Sequence, residues 1–541
     1  MQEYDYVVVG AGSAGCVLAD RLTADGSLRV LLLEAGGMDR DPLIHIPLGM
    51  GRLHETRRHD WGYDSEPEPG LGGRVVDAMR GKVLGGSSAI NHMAHVRGNR
   101  GDYDRWASLY GLSDWSYAKV LPYFRRSESW EKGADEYRGG DGPLKVTFAR
   151  APDPLFEGFL KAAEAHGIPY NEDYNGAQQE GISRGQSTIY RGRRQSGATA
   201  YLHPALKRPG LVLRTGAHAT RVMMEGKRAR GVEYLHRGQL QKAYAAREVI
   251  LAGGAFNTPQ LLMLSGIGPA DHLRALGIAT LIDSPGVGGN LQDHIGTTVS
   301  GTRPVAGPFR HEMRFDRMAV SMLRAHFFGT GPATVLPGGL YGFIKTDSRL
   351  DAPDFQFVFR GVNSKPHLWF PGIRKPYADR CGVRPMLLHP KSRGQLRLRS
   401  ADPTASVQIF QNFFQDESDI RTLRQGIRFA REMLADKALD GYRGRETSPG
   451  ADATSDADID RWIRKTVVTA HHPSGTCAMG ADSSAPLTPD LRVRGAEGLR
   501  VVDASAMPDL TSGNINACVV MIAEKASDAI LGRSPPAPSA G

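Results

Sequence analysis

Cysteine is scarce. Four residues, Cys16, Cys381, Cys477 and Cys518, stand among 541, and no two of them form a C-x-x-C pair. A disulfide framework and a zinc site are thereby excluded, no metal is expected, and reduced thiols fit a cytoplasmic protein. Long apolar runs are lacking too: no segment reaches the ~18 uninterrupted apolar residues of a membrane span, which excludes an integral membrane protein. A strand-like run begins at Tyr6, almost at Met1, leaving no room for a leader and its cleavage site, so a cytoplasmic location is the expectation. The net charge of +9 is spread along the chain in small clusters such as Arg191 to Arg194, without a long basic block. Nucleic acid is therefore not an expected partner. Peripheral attraction to anionic lipid at the inner face of a membrane stays open, although no helix with a strong basic face stands out. Internal repeats are absent, and no reading of oligomeric state follows from the sequence.

What is present is an ordinary globular composition, 40% apolar, 8% aromatic and 23% charged. The length exceeds the roughly 250–300 residues at which single cores stop growing, so two packed domains are expected. Residues 5–34 read as strand, glycine turn, helix and strand, closing on Glu34. In Gly10-Ala-Gly12-Ser-Ala-Gly15 the glycines permit a tight turn, close backbone approach to a pyrophosphate and close packing of helix on sheet. Gly10, Gly12, Ser13, Ala14 and Gly15 are thus candidate dinucleotide contacts, with donors supplied by the helix N-terminus. Glu34 lies 19 residues beyond Gly15, where an acid accepts from a ribose and repels a 2'-phosphate; Ala35 stands beside it. This motif alone does not separate FAD from NAD, but no second dinucleotide motif is found.

Further strands are expected around 211–214, 230–234 and 248–252, the last running into Ala252-Gly253-Gly254, and around Leu499 to Asp503 before a helix from Ala517 to Leu531. Residues 36–63 read as a long surface excursion. An antiparallel substrate region is expected after about Gly296, with Phe357, Phe359, Trp369 and Phe370 either lining an apolar pocket or packing in a core. The fold class is α/β, α+β overall: a Rossmann-like domain over 1–297, a second antiparallel-sheet domain over 298–455, a return to the first domain over 456–533, and a disordered tail over 534–541.

Four further segments accompany the glycine turn: Arg80-Gly-Lys-Val-Leu-Gly-Gly-Ser-Ser-Ala-Ile-Asn91, Gly254 to Gly268, His472-Pro-Ser-Gly-Thr476, and Val501-Val-Asp-Ala-Ser505 followed by Gly513-Asn-Ile-Asn516. In this order they resemble the glucose-methanol-choline family of flavoproteins, its bacterial choline-dehydrogenase-like alcohol dehydrogenases in particular. The resemblance implies FAD as cofactor, with contacts from Arg80, Val83, Gly85, Gly86, Ser87, Asn91, His92, Met93, Ala94, Val222, Ala252, Gly253, Asp503, Ala504, Asn514 and Ile515. Members with covalent flavin carry a histidine directly before the asparagine of the glycine-serine segment. Here that position is Ile90, which implies dissociable FAD.

The resemblance makes His472 the base for an alcohol oxidised by hydride transfer to the flavin, a role that suits an imidazole neutral at working pH. Asn516 is implied to hydrogen-bond the substrate oxygen, or to cap the helix it opens. His471 is expected to point the other way, as neighbours in an extended segment do. The partners implied are a small-molecule alcohol and an electron acceptor, quinone-like for a dehydrogenase or O2 for an oxidase of sugar, aryl-alcohol or pyridoxine type. A hydroxynitrile lyase and a non-catalytic flavoprotein stay open as lesser alternatives. Choline-specific members are taken to carry a glutamate for the quaternary ammonium where this chain has Thr302, so choline is not the expected substrate.

Overall fold

A computed structural model describes residues 3–150, 152–363 and 365–539. Strand Glu3–Val9, apolar without a break over Tyr6–Val9, is flanked in parallel by Val30–Glu34 and by the last part of the long strand Gln239–Leu251. Leu211–Thr215 extends the sheet in parallel on one side and Leu499–Val501 pairs with Gln239–Leu251. The first half of Gln239–Leu251 turns antiparallel through Arg228–His236 to Ala217–Glu225, so one strand joins a Rossmann-like core to an antiparallel ribbon. Helices Ser13–Leu22 and Asn516–Ile530 pack against each other, tied by Arg21, whose guanidinium donates twice to the buried carboxylate of Glu524. The expected strands and closing helix are all found, with shifted ends.

The second sheet is antiparallel, in the order Glu446–Ser448, Val299–Thr302, Arg380–Leu387, Phe355–Arg360, Gly338–Ile344 and Gly181–Arg184, with Ile295–Gly296 and Val468–Thr469 paired at its side. It therefore draws strands from before 298 and after 455. The alternation in Phe355-Gln-Phe-Val-Phe-Arg360 explains its two faces. Phe355, Phe357 and Phe359 are fully buried with Ile420, Leu423 and Ile427 of helix Ser418–Ala435, each worth roughly 1.5–3 kcal/mol of transfer free energy. Gln356, Val358 and Arg360 face the opposite way, into a cavity. Phe357 and Phe359 are thus core rather than pocket. Trp369 and Phe370 belong to neither: Trp369 Nε1 donates to the Arg310 carbonyl and Phe370 lies on the surface. Gln395–Arg397 forms its antiparallel pair only with Gln408–Phe410, apart from the large sheets. Of the expected tail, Ser539 N–H donates to the Ala118 carbonyl at 2.9 Å, and residues 540–541 lie outside the described residues.

Candidate active site

Between the two sheets lies a cavity of about 380 Å³, within the ~300–1,000 Å³ usual for cofactor and small-molecule sites. Gly10, Gly12, Ser13 and Ala14 form one end, continued by Glu34, Ala35, Ala252, Gly253, Asp503 and Ala504. A Cβ at Gly10 would stand 2.5 Å from the Ala252 carbonyl oxygen, and one at Gly86 2.7 Å from the Gly12 Cα. Two glycine segments thus meet backbone to backbone, leaving a surface free of side chains that suits the pyrophosphate and flat rings of a dinucleotide. Gly15 underlies this surface without lining it, since its α-carbon abuts the Gly10 carbonyl.

Glu34 is 5% exposed, and its oxygens accept from Ala11 N–H at 2.9 Å and Gly36 N–H at 2.7 Å. Burial lifts its pKa to about 7. Each oxygen keeps a lone pair for a ribose hydroxyl. Asp503 has a different task. Its carboxylate accepts from Gly254 N–H and the Thr258 hydroxyl on one oxygen, and from the Ser505 N–H and hydroxyl on the other. It therefore fixes two helical turns instead of presenting free oxygens to a phosphate.

Arg80, Gly86, Ser87, Asn91, His92, Met93 and Ala94 line the next stretch of wall, as does Ile90. Val83 and Gly85 do not. Val83 packs with Ile44 and Leu53, while Gly85 N–H donates to the Ala11 carbonyl at 2.8 Å, joining the two glycine segments from behind. Val222 is also off the wall. Its side chain is 1% exposed and its N–H donates to Ser265 Oγ at 2.8 Å, so Ala217, His218 and Ala219 represent that strand in the cavity.

His472 is set by a latched segment. The Ala470 N–H donates to the His294 carbonyl at 2.8 Å, His472 N–H to Asp293 Oδ1 at 2.9 Å, and Ser474 and Gln292 exchange backbone bonds at 3.0 and 3.1 Å. His471 departs from its expectation. Its φ is +61°, so the segment is not extended there, and it lines the same cavity, edge-on to His54 at 6.1 Å.

Around His472 a chain of hydrogen bonds fixes the proton positions. His294 Nε2 lies 3.0 Å from the Thr511 carbonyl, which only accepts, so this nitrogen carries the hydrogen. Burial, then His389, holds the His294 pKa at about 3, so the ring is neutral and its Nδ1 is bare. At 2.9 Å, His472 Nδ1 must therefore donate to His294 Nδ1, and His472 Nε2 is left as the acceptor. Asn514 Nδ2 donates to that Nε2 at 2.9 Å, while Asn514 Oδ1 accepts from Gln356 Nε2 at 3.4 Å. Burial above all, with His294 and Arg80 adding to it, holds the His472 pKa well below its ordinary value. The result is a neutral imidazole with one lone pair directed at a neighbouring amide.

Asn516, the expected partner, is elsewhere. Its Oδ1 accepts from Ser13 Oγ at 2.7 Å at the start of helix Asn516–Ile530, beside the glycine turn. Only Ile515 separates Asn514 from Asn516, and the helix begins there, which turns their side chains to different parts of one wall. No motif in the sequence points to the role of His294 in fixing the His472 proton. Thr302 is not on the wall: it sits in an edge pairing with its hydroxyl toward the Arg445 carbonyl, so it has no bearing on a bound cation. Among the described residues no group of three or more His, Cys, Asp or Glu could hold a metal, and no helix is long and apolar enough to cross a membrane.

Known proteins are similar to this chain over nearly its whole length. A mitochondrial choline dehydrogenase of Mus musculus is 44% identical over 542 residues, 98% of this chain and 90% of that protein. An oxygen-dependent choline dehydrogenase of Photobacterium profundum is 42% identical, with 99% and 94% covered. The crystal structure of pyridoxine 4-oxidase from Mesorbium loti superposes with a TM-score of 0.88 at 32% identity, covering 98% of this chain and 100% of that one. Formate oxidase of Aspergillus oryzae does so at 0.89 and 28%, covering 98% of each chain. The N-terminal and C-terminal models of the GMC oxidoreductases match residues 4–296 and 390–523, and the chain belongs to the GMC oxidoreductase family.

Proposed function

We propose that in this FAD-dependent oxidoreductase, which acts on CH–OH donors, Nε2 of His472 takes the hydroxyl proton of a bound alcohol as the carbinol hydride leaves. The observation that carries this is the directed tautomer: Thr511 fixes His294, His294 fixes His472, and the one remaining lone pair, on Nε2 at the cavity wall, accepts from the Asn514 amide, the bond that an alcohol hydroxyl would replace. Asn514 then donates to the alcohol oxygen and stabilises the charge that grows there. FAD, when bound, supplies the acceptor for the hydride. Gly10, Gly12, Ser13, Gly86, Ser87 and Glu34 would hold it, together with Asn516, whose amide nitrogen has no partner among the described residues. Ile90 at the attachment position supports a dissociable cofactor.

A dehydrogenase passing electrons to a quinone-like or artificial acceptor is the first reading, supported by the dehydrogenase name of the Mus musculus relative at 44% identity; O2 is the second acceptor, since the Photobacterium relative at 42% is named oxygen-dependent and the neighbours at 32% and 28% are oxidases. A quinone-like acceptor dissolves in lipid, and we propose peripheral association with an anionic membrane surface. Helix Phe315–Phe328 supports it by exposing Val320, Leu323 and Phe327 along one face, with Phe328 beside them.

His472→Ala tests the base. The variant should purify yellow, with its FAD, and be reduced anaerobically by alcohol at least ~100-fold more slowly than the wild type, the lower range for acid–base catalysis. Unchanged stopped-flow reduction would remove His472 from this role.

A further inference from the structure

The end of the cavity away from the glycine turn is walled by the second sheet, and two arginines stand on that wall. Register places Val358 opposite Arg384, Gln356 opposite Met386 and Arg360 opposite Gly382. Arg360 and Arg384 are therefore diagonal neighbours on one face, with Cα atoms about 7–8 Å apart. Both line the cavity, and the part of each that protein does not surround is cavity wall.

Among the described residues, the Arg360 guanidinium has no hydrogen bond and no ion pair. Arg384 gives one bond, from Nη2 to the Thr469 carbonyl at 3.2 Å, and its buried Nε has no partner. The acids that line the cavity, Glu34 and Asp503, belong to the glycine-turn end. Asp293, the carboxylate that Arg384 feels most, is already bound to the His472 N–H. Nearby His92 and His471 offer no negative charge, and burial pushes both well toward neutrality. Two like charges held together in protein, without a counter-charge, are costly unless an anion completes them.

We propose that the substrate is an alcohol carrying a carboxylate, which Arg360 and Arg384 bind while the hydroxyl lies at His472 and Asn514. This rests on the alcohol-oxidising function proposed above and names its substrate class. A planar carboxylate matches the fork of a guanidinium in a bidentate pair. Gln356, which touches Asn514, is diagonal to Arg384, again about 7–8 Å between Cα atoms, so the spacer between carbinol and carboxylate is short. A quaternary ammonium alcohol meets cations at this end instead of a carboxylate.

Calorimetric titration of the FAD-loaded enzyme with butanoate, which has no hydroxyl to oxidise, separates anion binding from turnover. Butanoate should bind saturably, butyltrimethylammonium should not, and Arg360→Met and Arg384→Met should each weaken butanoate by at least ~10-fold. In turnover, 4-hydroxybutanoate should exceed 1-butanol by at least ~10-fold in kcat/KM, the gain lying in KM. Absence of butanoate binding, equal binding by the variants, or tighter binding of the ammonium ion would overturn the assignment. A preference for 2-hydroxyethyl phosphate would overturn the choice of carboxylate. Butanoate binding without oxidation of any alcohol would leave the anion site standing and remove the base.

Discussion

At the scale of single residues, the two asparagines of Gly513-Asn-Ile-Asn516 have separable tasks. Asn514 touches His472 and Asn516 touches Ser13 of the glycine turn. Asn514→Ala should therefore slow flavin reduction by about 10²-fold, the usual cost of one donor to a developing oxyanion, and keep its FAD. Asn516→Ala should lose FAD more readily on dilution and reduce at nearly the normal rate once saturated. The reverse pattern in stopped-flow and cofactor-retention assays would restore Asn516 as the substrate's partner. The pH profile tests a second neighbour. His472 has a pKa well below the ordinary value, so no acid limb near 6.5 is expected from it. Asp293, lifted to about 7 by burial, accepts the His472 N–H and titrates in that range. Below about 7 it is neutral; above, its negative charge favours the imidazolium formed as the proton arrives. The reduction rate should rise with pH around 7, and Asp293→Asn should flatten that rise. A limb that persists in the variant assigns the titration elsewhere.

At the scale of elements, the cradle depends on two backbones touching. Gly86 has φ +55° and a Cβ there would lie 2.7 Å from the Gly12 Cα, whereas Gly277 has φ +72° and open space around it. Gly86→Ala should part the two segments and purify with at most a tenth of the normal FAD, roughly the effect of 1.4 kcal/mol, which lies within the ~1–3 kcal/mol that overpacking costs. Gly277→Ala carries only the strain of its φ and should stay yellow. Absorbance ratios at the flavin and protein bands decide between them. This cradle was legible in the sequence because turn, helix and acid are local, with fixed spacing. The parallel strands and the closing helix were legible for the same reason, through short, largely apolar runs. Distant pairings were not. His294 meets His472 only because residues 290–296 and 468–476 fold together, and nothing in either segment announces the other. The αL conformation of His471, which turns it into the cavity, is equally silent in a sequence where a non-glycine residue gives no warning of positive φ. Asn514 was passed over for Asn516 because both fit one short motif and only the start of the helix tells them apart.

At the scale of the whole molecule, the positive charge and the exposed apolar surface coincide. Helix Phe315–Phe328 docks on the 42–49 excursion through Ala325 and Met322, against Ile46 and Leu48. Its outer face carries Val320, Leu323 and Phe327 at 57%, 56% and 65% exposure, at the spacing of one helical stripe. Exposed Arg317 and Arg324 flank that stripe, while Asp316 is neutralised by Arg314. The adjoining loop, joined by Phe315 N–H to the Trp369 carbonyl at 2.9 Å, adds Phe370, Ile373, Arg374 and Lys375. Apolar side chains rimmed by cations are the composition of a surface that enters the headgroup layer of anionic lipid. The protein should therefore float with vesicles containing phosphatidylglycerol and remain behind with phosphatidylcholine alone. Salt should weaken the attraction, since the Debye length shrinks from about 10 Å at 0.1 M to about 3 Å at 1 M. Leu323→Asp with Phe327→Asp places two carboxylates on the stripe and should abolish flotation while FAD content and alcohol oxidation stay as in the wild type, because the helix lies outside the cavity wall. Flotation that survives the double substitution, or that ignores lipid charge, would assign the exposed face to something other than a membrane.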